Sequence, residues 1–310
     1  MKGLELSRAY FEAYGDSLFI GLPSEVRYRA AVGLAGPGSE CLGFDDELSH
    51  DHDFGPGFCV WLPRDLYRAW GAELQRRYDL LPRTFAGFTR RETELAGQRV
   101  GVFETEAFFR TFTGLDHVPN TPKEWIVIPE QFLATATSGE VFSDPSGTMV
   151  ALRSYYLRFY PEPVIRQKVA ANFASMAQSG QYNLPRSQRR GDAFAADAAR
   201  TEFLASFVAV IHLLRRVYAP FYKWSLRSLS ERANAPAVVV DAVKRIAAAP
   251  VSDVRERDIE ACCSLVLATV RALGWMDAES DFLLDAALAI HRGIEDGYLA
   301  SCPLGTGAFR

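Results

Sequence analysis

The chain has 310 residues, is 48% hydrophobic and 23% charged, and carries a net charge of −4. That length exceeds one typical small core and predicts two domains. The negative balance disfavours generic nucleic-acid binding, and no uncharged apolar run reaches the roughly 18 residues that a membrane span needs. Five cysteines (Cys41, Cys59, Cys262, Cys263 and Cys302) make an odd count with one adjacent pair and no CxxC. That usage predicts reduced thiols rather than a disulfide framework or zinc site. The N-terminal stretch has no apolar signal core, so a cytoplasmic location is expected.

Residues 4–14 space their apolar positions as an amphipathic helix that Gly15 can stop. A helix over 24–31 follows, with Ser24 as its N-cap. Residues 31–36 are small and apolar and read as a short strand entering a glycine turn. Residues 58–62 form a buried-strand candidate. A helix over 63–78 places Leu66, Trp70 and Leu74 on one face. Residues 99–104 read as a further strand and 105–112 as a short helix. Thr121-Pro-Lys-Glu124 is a capping box with proline at the first helical position. Pro129 begins another helix, which Gly139 should end. Residues 140–147 read as a short strand closed by a tight turn, with Asp144 fixing the turn. Beyond that point helical periodicity takes over, at 148–159, 162–179, 192–217, 219–231, 236–248, 255–273 and 279–293. Residues 180–191 read as a connection carrying Arg186, Arg189 and Arg190. The expected fold class is α+β: a mixed sheet with flanking helices over 1–150, then an all-α bundle over 151–310.

The chemistry concentrates between Gly36 and Gly57. Asp45, Asp46, Glu47, Asp51 and Asp53 crowd into nine positions with His50 and His52 among them. Carboxylates this close repel unless solvent or a cation screens them, so the stretch reads either as a solvated acidic loop or as a site for an oxygen-liking ion such as Mg²⁺. If 51–53 enter a strand, Asp51 and Asp53 share a face and converge. Gly38-Ser39 just before them offers backbone N–H groups and a hydroxyl to phosphate. Metal and phosphate cradle together are what phosphoryl or nucleotidyl transfer requires.

Gly38-Ser39 followed by Asp51-x-Asp53 resembles the signature of the nucleotidyltransferase superfamily, which shares the DNA polymerase beta fold. The longer run from Gly43 to Pro56 is similar to an uncharacterised bacterial family within it. So are Ala177-Gln-Ser-Gly-Gln-Tyr-Asn183, Tyr218-Ala-Pro-Phe-Tyr-Lys-Trp224 and Ser280-Asp-Phe-Leu-Leu-Asp285. The resemblance spans about 30 to 300. It implies an N-terminal nucleotidyltransferase domain followed by a helical domain. It implies Asp51 and Asp53 as Mg²⁺ carboxylates and Gly38 and Ser39 as contacts to the triphosphate. The third carboxylate that such enzymes often carry falls, by order, on Glu104, whose alternative is a solvated strand end. Phe54-Gly-Pro-Gly57 separates Asp53 from the next strand, a break which the uncharacterised family shares.

Several side chains have a structural reading beside the functional one. Asp45, Asp46 and Glu47 frame the loop or orient His50 and His52. Lys223 can reach a phosphate or snorkel over an apolar face. Arg190, with Arg186 and Arg189, can clamp phosphate or stay solvated. Tyr182 can stack on a base or anchor packing, and Glu202 can deprotonate an acceptor hydroxyl. The expected activity is Mg²⁺-dependent transfer of a nucleoside monophosphate from a nucleoside triphosphate, ATP foremost, to a small-molecule acceptor, with release of pyrophosphate. The alternatives are a catalytically silent protein of the same fold and, from His50-Asp51, a metal-dependent phosphohydrolase.

Overall fold

The computed structural model describes residues 1–50, 54–91, 98–277 and 279–309. The chain begins with α1 (Gly3–Tyr14), a 3₁₀ turn, α2 (Ser24–Arg29) and β1 (Ala31–Leu34). Then come α3 (Ser39–Leu42), β2 (Cys59–Leu62), α4 (Arg64–Asp79) and a hairpin of β3 (Thr84–Phe85) and β4 (Phe88–Thr89). They are followed by β5 (Gly101–Glu104), α5 (Thr105–Thr113), α6 (Pro122–Ile126), α7 (Glu130–Ala136), β6 (Glu140–Ser143) and α8 (Thr148–Leu157). The remainder is helical: α9 (Glu162–Met176), a π-helical segment (Ala177–Asn183), α10 (Leu184–Arg189), α11 (Ala193–Leu214) and α12 (Tyr222–Glu231). It ends with α13 (Ala237–Ala248), α14 (Glu256–Ala272), α15 (Leu283–Arg292) and α16 (Gly297–Ser301). Among the described residues no helix is long and apolar enough to cross a membrane.

The chain divides into two compact units, residues 1–118 with 132–158, and residues 119–131 with 159–310. The division at 158 lies eight residues past the boundary expected from glycine content, and it assigns the capping-box helix α6 to the second unit. The capping box forms as its sequence demands: Thr121 Oγ1 accepts from the Glu124 N–H, and Glu124 Oε2 accepts from the Thr121 N–H.

In the first unit a four-stranded sheet runs in the order β5-β2-β1-β6. The two central strands are buried at every position, which is why both read as short apolar runs rather than alternations. Val32, Val60, Leu62 and Val102 face Tyr10 of α1 and Leu66, Leu74 and Tyr78 of α4 in one core. On the sheet's other face Trp61 meets Phe108 of α5 edge-on at 5.5 Å. Strand β1 is antiparallel to β2 and to β6, whereas β2 and β5 are parallel. The glycine turn after β1 therefore shares one edge of the sheet with the starts of β2, β5 and β6. The ends of β2, β5 and β6 lie at the opposite edge.

In the second unit α9 packs against α11 and α15. It is buried on most of its faces, as a central helix must be, and takes in Gln167, Lys168 and Asn172 along with Val164, Ile165 and Phe173. Residues 180–191 are not an open connection. The π-helical segment runs directly into α10 with Pro185 in the first turn, a position where proline's missing N–H costs nothing. Gly180 is there for space, since a Cβ would drive into the Phe203 ring of α11. Helix α15 starts at Leu283, later than position 279, with Ser280 Oγ accepting the Phe282 N–H and donating to Asp285. Helix α12 likewise starts at Tyr222, after Pro220.

His212 of α11 is fully buried; its Nδ1–H donates to Val208 O at 2.8 Å, which leaves Nε2 to accept from Ser228 Oγ at 3.0 Å. Burial, opposed by the Val208 bond and reinforced by the Arg232 charge, lowers its pKa to about 4. Between pH 6.5 and about 4 the unfolded chain binds a proton which folded His212 refuses. Stability from this group is thus complete above about pH 6.5 and falls as pH drops, by about 3 kcal/mol at most. Urea midpoints at pH 7 and 4.5 should show this fall in the native protein, and a smaller one in His212→Gln.

Candidate functional site

Strand β1 runs out through Ala35 into Gly36-Pro37-Gly38, and Ser39 opens α3. Gly38 sits at φ 138° and ψ 142°, outside the comfort of an L side chain. A Cβ there would collide with Arg99 Nη2 and both Glu40 carboxylate oxygens. The guanidinium lies directly on the turn: Arg99 Nε and Nη2 donate to Pro37 O at 3.1 and 2.6 Å, and Nη2 pairs with Glu40 Oε1. Both side chains are largely withdrawn from water, Arg99 at 15% and Glu40 at 10% exposure. The N–H groups that open α3 have no acceptor within the helix, as at any helix start. The turn thus combines backbone donors, the half-buried Ser39 and one cation.

The turn is clamped from the β6 side. Ser138 Oγ donates to Gly36 O at 3.1 Å, and the Gly139 N–H donates to Cys41 O at 2.7 Å. Arg153 Nη2 donates to Thr137 O and Gly139 O at 2.8 and 2.9 Å and fixes that connection in turn. Cys41 and Cys59 are buried at the same edge, and burial pushes the Cys59 thiol up to about 12 and raises Cys41 as well. Neither is a nucleophile at neutral pH.

The acidic frame is visible in part. Asp45 is buried; its Oδ2 accepts the Gly3 N–H at 2.9 Å, and Lys2 Nζ lies 3.8 Å from Oδ1. A carboxylate there suits the start of α1. Asp46 Oδ1 accepts from the Ser49 N–H and hydroxyl, each at 3.1 Å, and Glu47 is exposed. Asp51, His52 and Asp53 lie outside the described residues, as does the side chain of His50. Among the described residues no group of three or more His, Cys, Asp and Glu side chains could hold a metal ion. The fit to a divalent cation therefore rests on the donor chemistry of Asp51 and Asp53, two carboxylates at i and i+2, of the kind hard ions take.

Glu104 is not brought to this edge. The parallel register sets Gly101 beside Cys59 and Glu104 beside Leu62, so Glu104 ends β5 at the edge away from the glycine turn. There its Oε1 accepts from Arg64 Nε at 2.9 Å. At the start of β5, beside the turn, the chain has Arg99 instead. Asp144 sits at the same far edge and fixes its turn, accepting from Ser146 Oγ at 3.3 Å and the Val150 N–H at 2.9 Å.

The candidate nucleotide contacts of the second unit are surface groups. Tyr182 is 48% exposed with the Arg186 guanidinium 4.3 Å from its ring centroid. Arg190 is exposed at the end of α10, and Lys223 is exposed beside the Trp224 ring at 5.9 Å. No hydrogen bond or ion pair links these three to one another. Glu202 is exposed on α11. Gln181, between Gly180 and Tyr182, does architectural work. Its Nε2 donates to Glu260 and to Asp281 O, and its Oε1 accepts the Leu283 N–H at 2.9 Å. The segments 177–183 and 280–285 therefore meet through one amide.

The second unit also holds a cleft of about 630 Å³ walled by residues 126–131, Lys168 and residues 303–309. Lys168 Nζ lies 3.3 Å from Glu130 Oε1, with both side chains at 4% exposure or less, and 4.9 Å from the Tyr160 ring centroid. Gln167 Nε2 donates to Leu304 O and Thr306 O, each at 3.1 Å, and so holds the outer wall.

Sequence reasoning missed Arg99, Glu40, Gly139 and the Glu130–Lys168 pair. Each works through a residue distant in the chain, and only the glutamate beside Gly38-Ser39 offered a local hint.

Compared with known proteins, residues 125–225 match the model of a family described as a domain of unknown function, DUF4037. The motifs 177–183 and 218–224 fall inside that segment. No curated protein and no solved structure matches the chain.

Proposed function

We propose that the protein is a Mg²⁺-dependent nucleotidyltransferase that moves a nucleoside monophosphate from a nucleoside triphosphate, ATP foremost, to a hydroxyl of a small molecule. Pyrophosphate is the leaving product. The observation that carries this reading is the glycine turn. It leaves a buried strand, is clamped from behind, presents Gly38 and Ser39, and carries one guanidinium on its surface. Fixed donors aimed at phosphate oxygens need no reorganisation when the leaving group gathers charge. Asp51 and Asp53 would hold Mg²⁺, which supplies charge neutralisation when bound. By the family resemblance, Arg190, Tyr182 and Lys223 of the second unit are candidate nucleotide contacts, and all three are exposed. The net charge of −4 favours a small acceptor over a nucleic acid.

A second reading is a silent nucleotide-binding protein of the same fold. The tie of Glu104 to Arg64, at the edge of the sheet away from the glycine turn, supports that reading. The test is product release from nucleoside triphosphates with Mg²⁺ across a screen of small hydroxylated acceptors. Pyrophosphate that depends on an acceptor, and falls at least about a thousandfold in Asp51→Asn/Asp53→Asn, is the expected result. Nucleotide binding without pyrophosphate release favours the silent protein. Inorganic phosphate released without any acceptor favours a phosphohydrolase.

A further inference from the structure

Glu40 stands in an unusual place for a turn proposed to receive phosphate. Its carboxylate is buried against Gly38, on the very peptide that would receive a phosphate, and it is held there by Arg99. A carboxylate and a phosphate group present the same kind of oxygen to a guanidinium. Two anions cannot share that space without strong repulsion at the low dielectric of a largely buried site.

We propose that Glu40 is an internal stand-in for phosphate: the triphosphate takes Arg99 from Glu40, and the glycine turn is competent only after that exchange. This deepens the nucleotidyltransferase reading and rests on it.

Three features make the exchange feasible. Arg99 is anchored independently of Glu40 through Pro37 O, so its guanidinium stays on the turn when the carboxylate leaves. The Arg99 side chain keeps 15% of its surface exposed, so it is not sealed from an incoming oxygen. Glu40 is the second residue of a four-residue helix closed by Gly43 in the left-handed region, so its side chain can swing without unwinding a long element. The exchange preserves charge pairing at Arg99 throughout. Glu40 thus acts as a gate on affinity, and Arg99 as a positioning residue for the leaving phosphates.

The experiment is calorimetric titration of ATP with Mg²⁺ into the native protein, Glu40→Gln and Glu40→Gln/Arg99→Met. Glu40→Gln keeps the shape and removes the competing charge, so it should bind about tenfold more tightly than the native protein. Binding by Glu40→Gln alone, with none by the native protein, supports the gate equally. The double variant removes the guanidinium together with the competing carboxylate, so it tests what the arginine adds. It should bind at least about tenfold more weakly than Glu40→Gln. Affinity in Glu40→Gln equal to or below native, or a double variant equal to Glu40→Gln, overturns the exchange while leaving the nucleotidyltransferase reading standing. No binding by the native protein or by Glu40→Gln overturns both.

Discussion

Lys168→Met is expected to destabilise the second unit by about 3–5 kcal/mol at neutral pH, the usual cost of stranding one partner of a buried ion pair. Among the described residues Glu130 has no second cation to turn to. Its Oε1 depends on Lys168, and its Oε2 is buried without any hydrogen-bond partner. Burial already raises the Glu130 pKa, with Lys168 acting against that rise. Without the lysine the folded carboxyl titrates higher still. A group whose folded pKa is raised contributes its stability below the unfolded value of about 4.5 and loses it as pH climbs through the folded value. The deficit of Lys168→Met should therefore be small at pH 4.5 and grow toward pH 8. Glu130→Gln/Lys168→Met should recover much of it, because an uncharged pair of similar shape needs no counter-ion. Chemical denaturation of the three proteins at both pH values measures this directly. A deficit that does not vary with pH would mean that lost packing of the lysine stem, not the stranded charge, sets the cost.

Gly139→Ala should cost the first unit about 3 kcal/mol or more, and should loosen the glycine turn. Gly139 has φ 73°, and a Cβ would collide with Leu34 O and lie 2.9 Å from Ala35 Cα, both backbone atoms that cannot step aside. The strain of a left-handed alanine adds about 1 kcal/mol to that clash. Relief means moving the start of β6 away from the end of β1, which breaks the Gly139 N–H bond to Cys41 O behind the turn. Thermal unfolding should fall by several degrees, and nucleotide affinity should fall with it in the fraction that stays folded. By contrast, Gly147→Ala meets nothing within 4 Å, so it carries only the left-handed penalty and serves as the control.

Much of the fold is legible in the chain. The apolar stripe of α4, the all-buried runs of β1 and β2 and the Thr121–Glu124 box each declare themselves locally, because their determinants lie within one or two turns. Residues 180–191 mislead because two glycines and a proline read as breakers. In the structure Gly180 answers to the Phe203 ring, and Pro185 occupies the one helical turn that tolerates it. The second unit's recruitment of 119–131 is invisible for a related reason: it depends on what α6 packs against, not on composition.

The candidate site divides in the same way. Gly38 and Ser39 can be picked out because a glycine-serine turn after a small-residue strand is a local pattern. Arg99 joins Glu40 across 59 residues, and only the sheet order brings them together. The parallel pairing of β2 with β5 reverses the value of that strand's two ends, placing Arg99 at the turn and Glu104 away from it. Strand direction is set by the intervening α4 and hairpin, which no pattern within 99–104 encodes.

The most direct test is one titration. ATP is added to the native protein and to Asp51→Asn/Asp53→Asn, each with and without Mg²⁺, and the heat of binding is followed. Binding that requires Mg²⁺ and is lost in the double variant is the result predicted here. No binding by the native protein and none by Glu40→Gln in the same titration, or binding of equal strength in Asp51→Asn/Asp53→Asn, would contradict the assignment of this glycine turn and its two aspartates to a nucleotidyltransferase site.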